Sequence, residues 1–374
     1  MENCIGLIKN TYLEKGFGDL CKSRDVYMLP FGGRYRMVDI IISNMVNNGI
    51  KTVGLYTSHN IRSTMDHLGD GRPWDLDSRF QGLFLFTPVP MHSAIAQKGD
   101  IVDFYSTLNF LEQNKAENVF INACNVLNKV NISDVYKKFQ ESESDIMMIY
   151  KTVEDKKGEL INREKMHIKP NGDLINIGIN LGTETKFNMY LDMIFMKKDI
   201  LITLVKESIE KGDATLINQA ILSNRDRYKI STYNYDGYME NIVDVQSYYE
   251  ANLRLLESET YNNLFNINGK VKTKTKDEPP TIYNEHPNVT ESLIANGCIV
   301  EGEVENSVVF RGVKIGKNVT IKNSIIMQKS VIEDDAIVIN TILDKATKVE
   351  ADAHVVGSYS QPYVLGKGKV VRKD

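Results

Sequence analysis

Two adjacent glycines, Gly32 and Gly33, with Arg24 before them and Arg34 and Arg36 after them, are the first residues in the chain whose types suggest chemistry. Lacking a Cβ, such a pair lets the backbone approach a nucleotide base or a phosphate where a side chain would collide, so Gly32 and Gly33 read as part of a nucleotide pocket; the same pair also marks ordinary turns. The three arginines form a cationic group, and Lys367, Lys369, Arg372 and Lys373 add a basic tail. The competing reading of both is a solvated charged face and a frayed tail. No metal site is expected. Cys4, Cys21, Cys124 and Cys298 are far apart and form no C-x-x-C pair, and His59, His67 and His92 belong to no metal-like cluster. His354 lacks the acceptor loop that an acyl-transfer base would need, and Trp74 reads as packing.

The elements that position these groups fall into two kinds. From Ile5 to Leu256, short apolar runs alternate with amphipathic stretches, the sequence form of a parallel sheet wrapped by helices. Strands are expected at Ile5–Ile8, Thr52–Tyr56, Val119–Ile121, Ile146–Tyr150, Tyr190–Met196 and Ile230–Tyr235. A helix over Val38–Asn48 should end at Gly49, and Asp100 should cap a helix through Ile101, Phe104, Leu108 and Leu111. After the proline-containing stretch Lys272–Asn288 a repeat begins. Asn306-Ser-Val-Val, Asn323-Ser-Ile-Ile and Asn340-Thr-Ile-Leu are 17 residues apart, as are Ile315, Ile332 and Val349, and Gly357-Ser358-Tyr359 continues the series weakly. Aliphatics recurring in units near six predict a parallel β-helix of hexapeptide repeats. The expected organisation is an α/β domain over 1–256, a linker over 257–288 and the β-helix over 289–374.

The formal charge of −4 and pI near 6.0 give no electrostatic reason to expect nucleic acid or an anionic membrane. No stretch of about 18 apolar residues suits a spanning helix, the apolar run at the N-terminus is too short for a signal peptide, and the scattered cysteines suit a reducing compartment. A cytoplasmic protein is expected.

An α/β domain followed by a hexapeptide β-helix is shared by several sugar nucleotidyltransferases. Four strings narrow the resemblance. Pro30-Phe-Gly-Gly-Arg-Tyr-Arg-Met-Val-Asp39 with Ser43-Asn44 and Asn47-Asn-Gly-Ile50 resembles a segment of ADP-glucose pyrophosphorylases (glucose-1-phosphate adenylyltransferases). So do Gly71-Arg-Pro-Trp-Asp-Leu-Asp77, Ser247-Tyr-Tyr-Glu-Ala-Asn252 and Gly302-Glu-Val-Glu-Asn-Ser-Val308. The resemblance implies a Rossmann-like nucleotidyltransferase domain joined to a left-handed β-helix.

It also implies where the reaction's groups should lie, and each place is altered. Active relatives carry a glycine-rich loop with an arginine that cradles the ATP phosphates; here Ile8 leads into Lys9-Asn-Thr-Tyr-Leu-Glu14-Lys15-Gly16-Phe-Gly18. The R-A-K-P string reads Arg24-Asp25-Val26-Tyr27, replacing a cation with Val26. The two magnesium-binding aspartates fall on Asn125 and Asn241, and the sugar-phosphate E-K-P string on Ile179-Asn180-Leu181. Magnesium prefers anionic oxygen ligands, so the exchanges remove charge where phosphoryl transfer most needs it.

The combination resembles the GlgD-type regulatory subunit, which implies a hetero-oligomer, a tetramer, with a catalytic glucose-1-phosphate adenylyltransferase subunit that uses Mg2+, this chain binding no cofactor of its own. The resemblance further implies that small phosphorylated effectors are held by Arg24 and Arg36 with C-terminal lysines; Arg34, Lys367, Lys369 and Arg372 join the candidates. Two other readings stay open: an active enzyme of the same reaction with Asp100, Asp103 or Glu240 as substitute metal ligands, and a sugar-phosphate or nucleotide sensor without an enzymatic partner.

Overall fold

The computed structural model describes residues 1, 3–78, 81–88, 99–284 and 287–373. Its contacts group the chain into two compact units that are not continuous in sequence. The first comprises Met1–Thr11, Ile41–Ile61 and Gly69–Tyr238; the second comprises Tyr12–Ile40, Arg62–Leu68 and Met239–Asp374. The expected bounds, 1–256, 257–288 and 289–374, follow composition along the chain, whereas these units also gather segments distant in sequence.

In the first unit, β1 (Cys4–Lys9) is buried along its whole length. It pairs in parallel with β2 (Thr52–Tyr56), which pairs in turn with β3 (Leu83–Phe86), and on its other side with β4 (Asn118–Ala123). Strands buried on both faces read as continuous apolar runs, which is why β1 and β4 are legible in the sequence. The rest of the sheet is antiparallel in part. β5 (Ile146–Glu154), the hairpin of β6 (Glu164–Ile168) and β7 (Leu174–Ile179), and β8 (Lys186–Lys197) follow one another, and β8 runs antiparallel to β4, β5 and β6. β9 (Ile230–Asn234) then pairs in parallel with β5. The sheet is therefore mixed where a parallel one was expected, since a tight turn such as that closed by Lys169 and Asp173 returns the chain antiparallel without a crossover helix.

Gly49, at φ +83, ends the helix Met37–Asn47 as expected. Asp100 does not cap its helix. It is the first residue of a short helix, Asp100–Ser106, that stops at Thr107 before a second, Leu108–Gln113. The Thr107 hydroxyl lies 2.6 Å from the Tyr56 hydroxyl. Ile101, Phe104 and Leu111 still face the core formed with Ile5, Leu7, Val119 and Ile194.

In the second unit, three parallel sheets form the faces of a left-handed β-helix. Ile315, Ile332 and Val349 stack in register on one face, Ile321, Val338 and Val355 on the second, and Ile326 and Leu343 on the third. All are buried together. Asn306, Asn323 and Asn340 occupy one corner at φ +45 to +49, a left-handed conformation that asparagine tolerates better than most residues. Their amides form a ladder: Asn306 donates to Asn323 at 2.7 Å, Asn323 to Asn340 at 3.2 Å, and Asn340 to the Gly357 carbonyl at 3.2 Å.

The weak fourth repeat resolves here. Gly357 holds the ladder position, but Thr341–Leu343 pairs with Tyr363–Leu365, a step of 22 residues. The extra residues form a loop closed by Ser358 and Gln361. The helix Ser258–Phe265 lies within the stretch expected as linker.

Candidate functional site

Each altered position has a structural occupation of its own. Lys9, at the carboxyl end of β1, is buried between two carboxylates, 2.7 Å from Asp100 and 2.8 Å from Asp192. Burial alone would lower its pKa; Asp100 and Asp192 reverse that and push it up, so the ammonium stays charged. Asp100 also accepts from the Ile217 amide at 2.7 Å. Burial pushes Glu164 up to about 6, with Asp192 adding to the effect, and Glu164 accepts from Asn218 at 2.9 Å.

Asn125 is buried. Asn180 is a structural residue: its amide donates to the Leu160 carbonyl at 2.9 Å and its side-chain oxygen accepts from the Gly182 amide at 3.1 Å. In the second unit Val26 is fully buried, and Asn241 ends the strand Met239–Asn241. Glu240 is bound in bidentate fashion by Arg254 at 2.8 and 2.7 Å.

The segment where the resemblance places a phosphate loop is not an open cradle. Glu14–Cys21 forms two short 3-10 turns that meet at a kink at Gly18 (φ +50), with Phe17, Leu20 and Cys21 buried. It groups with the second unit, and a Cβ on Gly16 would meet the Val243 carbonyl at 2.9 Å. Lys15 is exposed on it.

Gly32 and Gly33 occupy the loop of a hairpin whose strands, Pro30–Phe31 and Tyr35–Arg36, pair antiparallel. Both have positive φ, +56 and +78, which glycine adopts without strain. A Cβ on Gly32 would sit 2.9 Å from Phe265 Cζ, and its amide donates to Asn252 Oδ1 at 3.1 Å. The close approach that requires this glycine is therefore to the protein's own helix Ser258–Phe265.

The hairpin delivers Arg34 and Arg36 to a cavity of about 710 Å³ lined also by Arg24, Arg62, Lys274, Lys276, Arg311, Lys329, Lys345 and Lys367. Asp66 and Glu278 are the acidic residues on its wall. Several cations already have partners. Arg24 Nη2 reaches both oxygens of Asp344, at 2.8 and 2.6 Å; Arg36 donates to the Met28 carbonyl; Arg311 lies 3.5 Å from Glu278. His67 is held by Asp39 at 2.6 Å, and Asp39 also accepts from the Arg36 amide and the Thr273 hydroxyl.

Among the described residues, Arg62, Lys276, Lys329, Lys345 and Lys367 make no ion pair. The crowding shows in their acid strengths: Arg36 is pushed down to about 10 by burial and by Arg24, and Lys345 down to about 6 by burial, Arg36 and Arg24.

Of the basic tail only Lys367 lines this cavity. Lys369 pairs with Asp19 at 2.5 Å and Lys373 with Asp352 at 3.0 Å, while Arg372 is exposed away from it. His59 and His354 are exposed, Trp74 is buried with its indole N–H on Ser43 at 3.1 Å, and His92 lies outside the described residues.

Sequence reasoning missed Arg62, Lys274, Lys276, Arg311, Lys329 and Lys345. A signal for two of them, Arg311 and Lys345, exists in the repeat itself. The registers Val309 with Ile326, Ile326 with Leu343 and Leu343 with Leu365 place Arg311, Gln328, Lys345 and Lys367, each two residues further on, at the same corner of successive coils. Coils stack about 4.8 Å apart, so three of these four side chains build one column of positive charge.

Comparison with known proteins bears on what such a chain is. Residues 17–159 match a family model described as nucleotidyl transferase, and residues 280–361 one described as GlmU-like, C-terminal hexapeptide. The glycogen biosynthesis protein GlgD of Bacillus subtilis is 33% identical over 98% of this chain and 96% of its own length. GlgD of Geobacillus stearothermophilus is 34% identical with the same coverage. The glucose-1-phosphate adenylyltransferase of Bacillus cereus is 30% identical over 86% of this chain and 90% of its own.

The chain belongs to the GlgD-type glucose-1-phosphate adenylyltransferase family.

The resemblance places magnesium-binding aspartates at Asn125 and Asn241. Asn125 and Asn241 offer neutral amide oxygens, Asp100 is committed to Lys9, and Glu240 to Arg254. No three carboxylate, histidine or cysteine groups converge on a common point among the described residues. Neither the first unit's Asn125 and Asp100 nor the second unit's Asn241 and Glu240 fit Mg2+, which takes octahedral oxygen coordination with carboxylates. No helix among the described residues is long and apolar enough to cross a membrane.

Proposed function

We propose that this chain is a non-catalytic or weakly catalytic regulatory subunit that assembles with a catalytic glucose-1-phosphate adenylyltransferase and modulates the conversion of ATP and glucose 1-phosphate to ADP-glucose and pyrophosphate. The observation that carries the reading is a contrast. The positions that would move a phosphoryl group are neutral or committed to internal ion pairs, while the second unit keeps a large cavity walled by cations. A cavity of that kind selects small phosphorylated ligands, because a phosphate accepts several charge-assisted hydrogen bonds at once. Arg24, Arg34, Arg36 and Lys367 are its effector-binding residues, with Lys345 and Lys276 beside them.

Titrating the protein into a fixed amount of the catalytic subunit, with ATP, magnesium and glucose 1-phosphate, tests the reading through pyrophosphate release. The chain alone stays silent, and the mixture gains rate or substrate affinity to saturation. Turnover by the chain alone at the catalytic subunit's rate would overturn it. The active-enzyme alternative is disfavoured by the commitments of Asp100 and Glu240.

A further inference from the structure

The cavity holds more positive charge than its own carboxylates balance, and one of its cations is placed to respond. Lys345 sits half-buried at the charged corner of the coil stack, with Lys367 on the next coil and Arg311 two coils before. From its own coil Asp344 faces it, but that carboxylate is taken by Arg24. Arg24 itself and Arg34 and Arg36 of the hairpin face it across the cavity; from the short helix Ile61–Leu68 come Arg62, Asp66 and His67; from the segment before the β-helix come Lys274, Lys276 and Glu278. Asp344 is bound by Arg24 and Glu278 lies 3.5 Å from Arg311, and Lys345 makes no ion pair of its own, so the lysine meets a largely positive field.

We propose that an anion entering this cavity draws a proton onto Lys345, so that effector binding is coupled to proton uptake and strengthens as the medium acidifies. The inference rests on the effector-cavity reading above and adds regulation by pH to it. The balance is simple. In the empty cavity the Lys345 amine is uncharged at neutral pH, in line with its pKa being pushed down to about 6 by burial and by Arg36 and Arg24. A bound dianion cancels the field of the arginines and favours the ammonium, which then donates to it. One proton comes from solvent and none from the ligand. Linkage gives the sign: a group that gains a proton on binding makes affinity fall as pH rises above its free-state pKa.

The test uses the full chain and inorganic sulfate, a dianion whose charge does not change near neutrality. Calorimetric titration in buffers of different ionisation enthalpy reads the protons taken up per sulfate. Uptake approaching one at about pH 8, with affinity falling roughly tenfold per pH unit above about pH 6.5, is expected. The Lys345→Arg variant, which keeps the charge and cannot release it at these pH values, binds sulfate with little proton uptake and a flat pH profile. Sulfate binding without proton uptake overturns the coupling. Uptake undiminished in Lys345→Arg assigns the proton to another group, His67 foremost, and overturns the role of Lys345. No sulfate binding at any pH overturns the effector-cavity reading itself, and this inference with it.

Discussion

Arg24 and Asp344, 320 positions apart in the chain, meet through a guanidinium nitrogen that contacts both carboxylate oxygens at 2.8 and 2.6 Å, with both side chains buried. The pair fastens an early segment of the chain to the third face of the β-helix and fixes one wall of the cationic cavity.

Removing one member leaves the other buried and uncompensated. Asp344→Ala is expected to cost about 3–5 kcal/mol, the range for breaking a buried ion pair from one side. The urea midpoint should fall with little change in slope. A midpoint that does not move would mean that Arg24 finds another partner at no cost.

The carboxyl of Glu164 gives a pH-dependent outcome. Its pKa is raised in the folded chain to about 6, so its contribution to stability is fully present below the unfolded value and is lost as pH rises through about 6. Glu164→Gln keeps the acceptor for Asn218 without the charge. It should leave stability near pH 4 unchanged and raise it by roughly 2 kcal/mol at pH 8, as read by denaturant unfolding at the two pH values.

The tail residues should separate cleanly. Lys367→Gln removes a cation from the cavity and is expected to weaken phosphate binding about tenfold, or about 1.4 kcal/mol. Lys369→Gln should leave that affinity unchanged, because its ammonium is engaged by Asp19. Equal losses in both variants would show that the tail acts through its net charge alone. Isothermal titration with inorganic phosphate makes the comparison.

Restoring the missing carboxylates should not restore turnover. The Asn125→Asp, Asn241→Asp double variant regains two acidic groups but still lacks the glycine loop, and Lys9 remains paired with Asp100 and Asp192. Pyrophosphate release by the variant alone should stay at the level of the unmodified chain; a rise of about a hundredfold, the scale of one restored preorganised catalytic group, would refute the assignment.

What the sequence discloses and what it hides follow from the range of the interactions involved. The 17-residue phase of Ile315, Ile332 and Val349 is local and periodic, so the β-helix is readable before any coordinates. Asp100 looks like a helix cap because local context offers it no other role; Lys9, 91 residues earlier, gives it one. The Gly32-Gly33 pair signals close approach correctly but cannot say to what, and the partner proves to be Phe265. The tail reads as one basic cluster, and only three-dimensional pairing with Asp19 and Asp352 divides it. Lys276 and Arg62 carry no pattern at all, whereas Arg311 and Lys345 would have emerged from asking which charges share a phase of the repeat.

The 22-residue coil bears on how this architecture can change. Its loop near Ser358 and Gln361 lengthens the path from Thr341 to Tyr363, yet Lys367 arrives above Lys345 as it would in a shorter turn. The scaffold thus counts corners rather than residues. The path between Gly357 and Tyr363 can lengthen while the charged column keeps its spacing, which makes that loop the natural place for length to change without displacing the cations stacked beside it.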